Sequence, residues 1–356
     1  MGFYCNGDQK QHINLSHNTW MVIRDDMSDF SFGKRTITLS GFLNQIFTNF
    51  NQSSFASISL RKDEEKERLE SLFGNKKNIK ELVKIYLNDY EEKLCEKMNS
   101  FPKGRAEKFR INDYNMCLLE ESLQDEYYEG SIGLYLKAIY EDYASKPNYE
   151  REQIYFKEVI DKINNAILTK KKIRISLLKK TNSTTNENYS RTFYLTPYKI
   201  IQDKSNNFNY VVGYTTEIDK DNTPKEKIIS SFRISRIDTI RIMESMKGFI
   251  SKDDKEKIEE KIQKNTVQFL AGEILDIKVK FTNKGLELFH NQLYMRPNDY
   301  EKIDDNTYVF HCTSIQAMNY FFKIGKHVEI ISPIEVRDNF IRRYKEALNK
   351  YIKEVD

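Results

Sequence analysis

Five short segments rich in β-branched and aromatic residues follow one another between residues 172 and 243. Polar sequences such as TNSTTNEN and EIDKDNTPKE separate them. Short apolar runs bounded by Asn-, Asp- and Gly-containing sequences are typical of strands, and five of them at this spacing predict a small β-barrel. The predicted strands cover residues 172–178, 190–201, 208–216, 227–234 and 239–243.

The rest of the 356-residue chain predicts helices and further strands, which together indicate an α+β multidomain protein. Before the barrel we expect a flexible arm with a short strand at TWMVIR, then a strand-and-helix unit, then a helical linker. After the barrel we expect a charged connector helix and a C-terminal α+β extension. The predicted boundaries are 1–33, 34–98, 99–150, 151–245 (barrel with its entry helix), 246–270 and 271–356.

Several classes of protein are disfavoured by what the sequence lacks. The four cysteines lie far apart and the five histidines follow no metal-ligand spacing, so we expect neither a disulfide scaffold nor a metal site. The chain has no nucleotide-binding glycine motif and no residue pattern typical of catalysis, which predicts a protein that is not an enzyme and needs no cofactor. The absence of a long apolar segment predicts a cytoplasmic location without membrane contact.

Basic residues concentrate at the predicted barrel. The segment 163–186 contains six basic residues and no acidic one. Arginine suits phosphate because its planar group donates two hydrogen bonds at once, and tyrosine offers a surface on which bases stack. We therefore expect arginines of neighbouring strands to converge at one open pocket that binds an anion. The predicted binding residues are Arg174, Lys179, Tyr198, Tyr210, Arg233 and Arg236.

These residues also admit a structural interpretation. The tyrosines, Tyr214 among them, would fill a core, and the arginines would be solvated or paired with carboxylates. Lysines that flank a strand would protect an exposed edge against aggregation. The sequence leaves both interpretations open.

The segment GKRTITLS alternates in polarity and predicts a strand before the first helix of residues 34–98. If two chains pair this strand, Lys34, Thr36 and Thr38 face outward, where a two-stranded ribbon can enter a DNA major groove. These residues are equally ordinary for a strand surface. A strand with two helices cannot bury its apolar face alone, so the pattern predicts a homodimer in either case.

Five segments between Gln153 and Tyr351 carry a resemblance to a known family: INNAILTKKKIRI, LTPYKII, NYVVGY, SFRISRIDTIRI and KIGKHVEIISPIEVRDNFIRRY. With them this stretch resembles the WYL-domain proteins of bacteria, in which a helix leads into an Sm- or SH3-like barrel followed by a C-terminal α+β extension. Of the family's Trp-Tyr-Leu signature only Tyr210 is present, because Asn209 and Val211 occupy the other two positions.

The segment GKRTITLSGFLNQIF resembles a ribbon-helix-helix unit. With both a WYL-like stretch and a ribbon-helix-helix-like unit, the chain resembles the WYL accessory proteins of type VI CRISPR systems. Those proteins bind RNA and enhance an RNA-guided RNA nuclease. This implies a non-enzymatic protein that binds single-stranded RNA and modulates such a nuclease. The alternatives are a dimeric transcription repressor, whose ribbon binds duplex DNA and whose barrel senses a small anionic effector, and a pure protein-interaction adaptor.

Overall fold

The computed structural model describes residues 10–31, 36–74, 77–122, 126–128, 131–177, 192–203, 207–217, 228–270 and 272–352. The chain divides into two compact units. Unit 1 contains Met1–Glu158, and unit 2 contains Val159–Leu177 and Ser190–Asp356. No helix within the described ranges is both long enough and apolar enough to cross a membrane.

Unit 1 is mainly helical, with one two-stranded sheet. Its strands are β1 (Lys10–Leu15) and β2 (Arg105–Arg110), which pair antiparallel. Its helices are α1 (His17–Phe30), α2 (Leu39–Phe50), α3 (Ile58–Phe73), α4 (Lys77–Asn99), α5 (Asp113–Ser122), α6 (Ile132–Ser145) and α7 (Asn148–Tyr155).

Residues 10–31 differ from the flexible arm that the sequence predicts. Ile13 and Leu15 of β1 are buried, and the predicted strand TWMVIR lies inside α1. The Ser16 side chain caps α1, and the buried Glu141 carboxylate of α6 accepts hydrogen bonds from the Ser16 backbone N–H at 2.7 Å and from Thr19 Oγ1 at 2.5 Å. These partners are more than a hundred residues away in sequence, which is why local patterns do not indicate the ordered structure.

The predicted linker, residues 99–150, is part of unit 1. Its helix α6 carries five large side chains that are at most 1% exposed and that form the centre of the unit: Tyr135, Leu136, Ile139, Tyr140 and Tyr143. In the predicted N-terminal strand, residues 36–38 are not in a strand, and Thr38 caps α2 instead. The predicted ribbon consists of one strand from each of two chains. Because the structure contains one chain, the ribbon stays a prediction.

Unit 2 begins within α8 (Lys157–Leu168) and continues into a five-stranded antiparallel sheet. The strands lie within a few residues of the five predicted ones, except that β7 is longer: β3 (Lys171–Leu177), β4 (Thr192–Gln202), β5 (Asn209–Glu217), β6 (Ile228–Arg233) and β7 (Ile237–Lys247). Their order is β6-β5-β4-β3-β7.

The sheet does not close into the predicted barrel among the described residues. The two edge strands, β6 and β7, are joined by a single 3₁₀ turn, Ile234–Arg236, and no pairing between them is seen there. On one face, Ile173, Ile175, Leu195 and Val211 are buried. Gly213 allows β4 and β5 to approach closely, because a Cβ at this position would lie 2.1 Å from the Thr196 carbonyl oxygen.

The opposite face of β5 packs against α9 (Lys252–Asn265) and the turn that follows it. Ile258 of α9 is fully buried, so this helix is more than the solvated connector that its charge pattern indicates. The hydrophobic cluster between the sheet and α9 contains Tyr210, Val212, Tyr214, Ile250, Ile258, Val267 and Leu270.

The C-terminal part of unit 2 confirms the predicted α+β extension. Its elements are β8 (Ile274–Phe281), α10 (Asn283–Asn291), β9 (Tyr300–Lys302), β10 (Thr307–Thr313), α11 (Ser314–Phe321) and β11 (Val328–Ser332), followed by α12 (Ile334–Ile352). The antiparallel strand order β11-β8-β10-β9 with this βαββαβ sequence of elements is the ferredoxin-like topology. Val336 and Phe340 attach α12 to its core.

Candidate nucleic-acid interface

The strand register of unit 2 brings two arginines and a tyrosine into one row. Arg174 of β3 lies directly opposite Arg241 of β7 on one side and Tyr194 of β4 on the other. Tyr194 in turn lies opposite Thr216 of β5. Directly opposed residues of antiparallel strands point to the same face of a sheet. We call the set Arg241, Arg174, Tyr194 and Thr216 the arginine row.

The arginine row is open to solvent. Arg174 and Arg241 are exposed, and neither has a hydrogen bond or an ion pair with a residue that the structure describes. Like charges directly opposite each other destabilise a sheet, and a bound anion removes that cost. Lys172 lies two residues before Arg174, on the same face, and adds a third positive charge. The arrangement therefore suits a polyanion that crosses the strands.

The strand register does not place Arg174 opposite Arg233, so their predicted convergence with Arg236 at one pocket stays a prediction. Arg233 lies on β6 opposite Tyr210, whereas Arg174 is in line with Thr216. Two strands, β4 and β5, separate β3 from β6 in the sheet. The sequence indicated each strand but not which strands are neighbours, and the structure puts Arg233 in a second place, on the edge strand β6.

At the second place, the Arg233 guanidinium lies on the ring of Phe208, with 3.1 Å between its central carbon and the ring centroid. Arg236 belongs to the 3₁₀ turn and is half-buried. The binding role of both residues stays a prediction.

The positions of the predicted tyrosines agree better with packing in a core than with a role in stacking on bases. Tyr210 is 9% exposed and Tyr214 is 7% exposed, because both pack against the cluster under α9. Burial, together with Asp254, raises the pKa of Tyr214 to about 12. Tyr198 is half-buried, and burial and then Glu259 raise its pKa as well. A base cannot stack on the Tyr210 ring unless the packing against α9 opens.

The remaining predicted residues lie elsewhere or outside the described ranges. Lys179 and Lys34 fall outside them. Thr36 is exposed, and the Thr38 side chain accepts a hydrogen bond from the Gly41 N–H at 3.1 Å at the start of α2. A contact of Thr36 or Thr38 with DNA stays a prediction.

Arg241 and Tyr194 are the residues that sequence reasoning missed. Arg241 lies between Ile240 and Ile242 in a predicted strand, and alternation alone places it on the outer face. What alternation does not give is the pairing of β7 with β3, which brings Arg241 opposite Arg174.

The described residues contain no group of three or more His, Cys, Asp or Glu side chains that could hold a metal ion. Alternation along β10 places His311 and Cys312 on opposite faces, as the sequence predicts. His311 Nδ1 is 2.7 Å from Asp276 Oδ1, whereas Cys312 is buried, which raises the pKa of its thiol to about 12.

No protein-family model matches the sequence, and no curated protein matches it. The class that the structure defines is a two-unit α+β chain with a five-stranded sheet and a ferredoxin-like part in unit 2. A crystal structure of a CRISPR Cas-related protein is similar over 98% of this chain and 95% of that chain, with 26% sequence identity and a TM-score of 0.71. The two proteins therefore share this fold over nearly their whole lengths.

A second solved structure is the proteasome accessory factor B/C (PafBC) of Arthrobacter aurescens. It matches 99% of this chain and 51% of that chain, with 12% identity and a TM-score of 0.29. At that score the similarity supports no conclusion about fold or function.

Proposed function

We propose that this chain is a non-enzymatic accessory protein of a CRISPR system, and that it binds single-stranded RNA and modulates an RNA-targeting effector nuclease. The CRISPR assignment is supported by the similarity to the CRISPR Cas-related protein, because that similarity extends over 98% of this chain at 26% identity. The WYL-like segments and the ribbon-helix-helix-like segment of the sequence agree with it.

RNA binding rests on one observation, the arginine row. In this row two exposed guanidinium groups lie opposite each other, with a lysine nearby. Bound phosphate groups would offset the repulsion between these positive charges. Arginine is particularly suited to this contact because its planar group donates two parallel hydrogen bonds to a phosphate.

A single strand fits the arginine row better than a duplex. Tyr194 lies directly beside Arg174 and is partly exposed, so an unpaired base can stack on its ring while the phosphate next to it contacts the guanidinium. Stacking of a base on an aromatic side chain contributes about 1–3 kcal/mol and depends little on sequence. A duplex keeps its bases stacked on one another and offers only its phosphates.

The test is a salt titration of RNA binding by fluorescence anisotropy. A labelled single-stranded RNA and a duplex of the same length are compared with the wild type and with Arg174→Ala/Arg241→Ala. We expect the wild type to bind the single strand more tightly. In the double variant we expect weaker binding and a log K against log salt slope that is less steep by about 0.7 for each lost phosphate contact.

A matched control removes two positive charges from elsewhere in unit 2. Lys252 and Lys284 are exposed, and among the described residues each pairs with a neighbour on its own helix, Glu256 and Glu287 respectively. Lys252→Ala/Lys284→Ala should bind like the wild type. If the control and Arg174→Ala/Arg241→Ala lose the same amount of RNA affinity, the arginine row is excluded as the site. Tight duplex binding that depends on Thr36 would instead favour the repressor, and no binding at all would favour the adaptor.

The effect on a nuclease is tested in the same way. Target-RNA cleavage by an RNA-guided nuclease is measured with and without the wild-type protein, and then with Arg174→Ala/Arg241→Ala. We expect the wild type to change the cleavage rate and the variant to change it less.

A further inference from the structure

A second basic surface lies on the last helix of unit 2. Along α12, two depressions of about 150 Å³ and about 660 Å³ adjoin each other, because Arg342 and Arg343 line both of them. We call the two together the α12 groove. Its other lining residues are Ser314, Ile315, Met318, Asn319, Phe322, Val336, Asn339, Glu346, Ala347, Lys350 and Tyr351.

The polar groups of the α12 groove are mostly hydrogen-bond donors. Two guanidinium groups, the Lys350 ammonium and the amides of Asn319 and Asn339 can all donate to an anion. Among the described lining residues the one carboxylate is that of Glu346, which accepts a hydrogen bond from Arg342 Nη1 at 3.0 Å. Arg343 is exposed and has no hydrogen bond or ion pair with a described residue. The groove therefore carries a net positive charge.

The apolar side of the groove is held in place by packing. Val336 is 2% exposed and Met318 is 7% exposed, and the Phe322 ring stacks on Tyr344 with 4.4 Å between ring centroids. Tyr351, at the other end of the groove, is 75% exposed. From Asn339 to Tyr351 the helix extends about 18 Å, which is long enough for several consecutive phosphate groups.

We propose that the α12 groove is a second binding site for the phosphodiester backbone of single-stranded nucleic acid, with Arg343 as its main phosphate contact. A base can stack on the exposed Tyr351 ring. The choice of ligand rests on the proposed RNA binding, whereas the location rests on the groove itself. Two sites on one chain raise the effective concentration of a strand at the second site once it is bound at the first.

The experiment compares Arg343→Ala with Lys345→Ala, using labelled oligouridine as the probe. Lys345 is exposed on the same helix, about 200° around its axis from Arg343, and does not line the groove. Both variants lose one positive charge from α12, so only the position differs. We expect Arg343→Ala to weaken binding about tenfold at low salt and to reduce the salt slope by about 0.7. Lys345→Ala should bind like the wild type.

The outcomes separate the two proposals. If the wild type binds oligouridine and only Arg174→Ala/Arg241→Ala loses affinity, the α12 groove is excluded and the arginine row stands. If only Arg343→Ala loses affinity, the groove stands and the row is excluded. If the wild type does not bind oligouridine, both are overturned.

Two further measurements distinguish other ligands of the α12 groove. In the first, inorganic phosphate competes with oligouridine for the Arg174→Ala/Arg241→Ala variant. Displacement of oligouridine at micromolar phosphate would indicate a site for free phosphate and would overturn the proposal. A change in molecular mass in solution for Arg343→Ala, relative to Lys345→Ala, would indicate that a second copy of the chain occupies the groove.

Discussion

Asp26 of α1 is 1% exposed, and its carboxylate holds three helices of unit 1 together. Arg151 of α7 contacts it through two hydrogen bonds, Nε to Oδ2 at 2.7 Å and Nη2 to Oδ1 at 3.0 Å. The Tyr143 hydroxyl of α6 donates a third hydrogen bond at 2.7 Å. Burial nevertheless raises the pKa of Asp26 above its ordinary value of 3.8, although Arg151 and Tyr143 act in the opposite direction.

We predict that Arg151→Met lowers the free energy of unfolding of unit 1 by about 3–5 kcal/mol at pH 8, because it leaves a buried carboxylate without its counter-charge. Loss of the guanidinium raises the pKa of Asp26 further. A raised carboxyl pKa means that the folded state binds the proton more tightly than the unfolded state, so stability falls as the pH rises through that pKa. The decrease in the free energy of unfolding caused by Arg151→Met should therefore be smaller at pH 5 than at pH 8.

The measurement is urea unfolding followed by the fluorescence of Trp20, the one tryptophan of the chain, which lies in α1. The control is Asp26→Asn/Arg151→Met, which removes both charges and should cost less than Arg151→Met alone at pH 8. An equal loss at both pH values would contradict the pKa argument.

At the scale of single elements, β1 is the clearest departure from the sequence prediction. It pairs with β2 over six residues, and its buried side chains alternate with exposed ones. Leu15 is fully buried, whereas its neighbour Asn14 is exposed. A segment that looks like a polar arm in sequence is thus part of the hydrophobic core of unit 1.

We predict that Leu15→Ala lowers the free energy of unfolding of unit 1 by about 2–5 kcal/mol, because it leaves a cavity in the core. Asn14→Ala, one residue away on the opposite side of the strand, should change it by no more than about 0.5 kcal/mol. Both are measured by urea unfolding with Trp20 fluorescence. Similar small effects for the two variants would mean that β1 behaves as the flexible arm that the sequence indicates.

At the scale of the whole molecule, the chain is expected to form a homodimer. The basis is the ribbon-helix-helix-like segment, in which each chain contributes one strand to a shared ribbon. In the structure of one chain, residues 36–38 precede α2 without a strand partner among the described residues.

We predict a mass in solution of twice 42.3 kDa for the wild type, measured by light scattering coupled to gel filtration. Ile37→Pro should yield single chains, because proline removes a backbone N–H that the ribbon needs. Ile37→Val keeps both the N–H and the preference for a strand, so it should remain dimeric. A monomeric wild type would contradict the homodimer, and a dimeric Ile37→Pro would place the contact on another surface.

Some features of this protein follow from short stretches of sequence. The five strands of the unit 2 sheet were predicted within a few residues except for the extent of β7, because alternation of side chains along a strand has a period of two and is visible in any short window. The α+β character of the C-terminal part followed from the same local patterns. The opposite orientations of His311 and Cys312 also needed nothing beyond alternation.

The order of the strands and the site were decided only by the tertiary structure. Strand order depends on contacts between residues far apart in the chain, such as Arg174 with Arg241 and β1 with β2, and no local period encodes them. That order separated Arg174 from Arg233, placed it beside Arg241 and Tyr194, and buried Tyr210 under α9. The sequence by itself determined which residues are available to contact an anion, and long-range packing decided which of them lie on one surface.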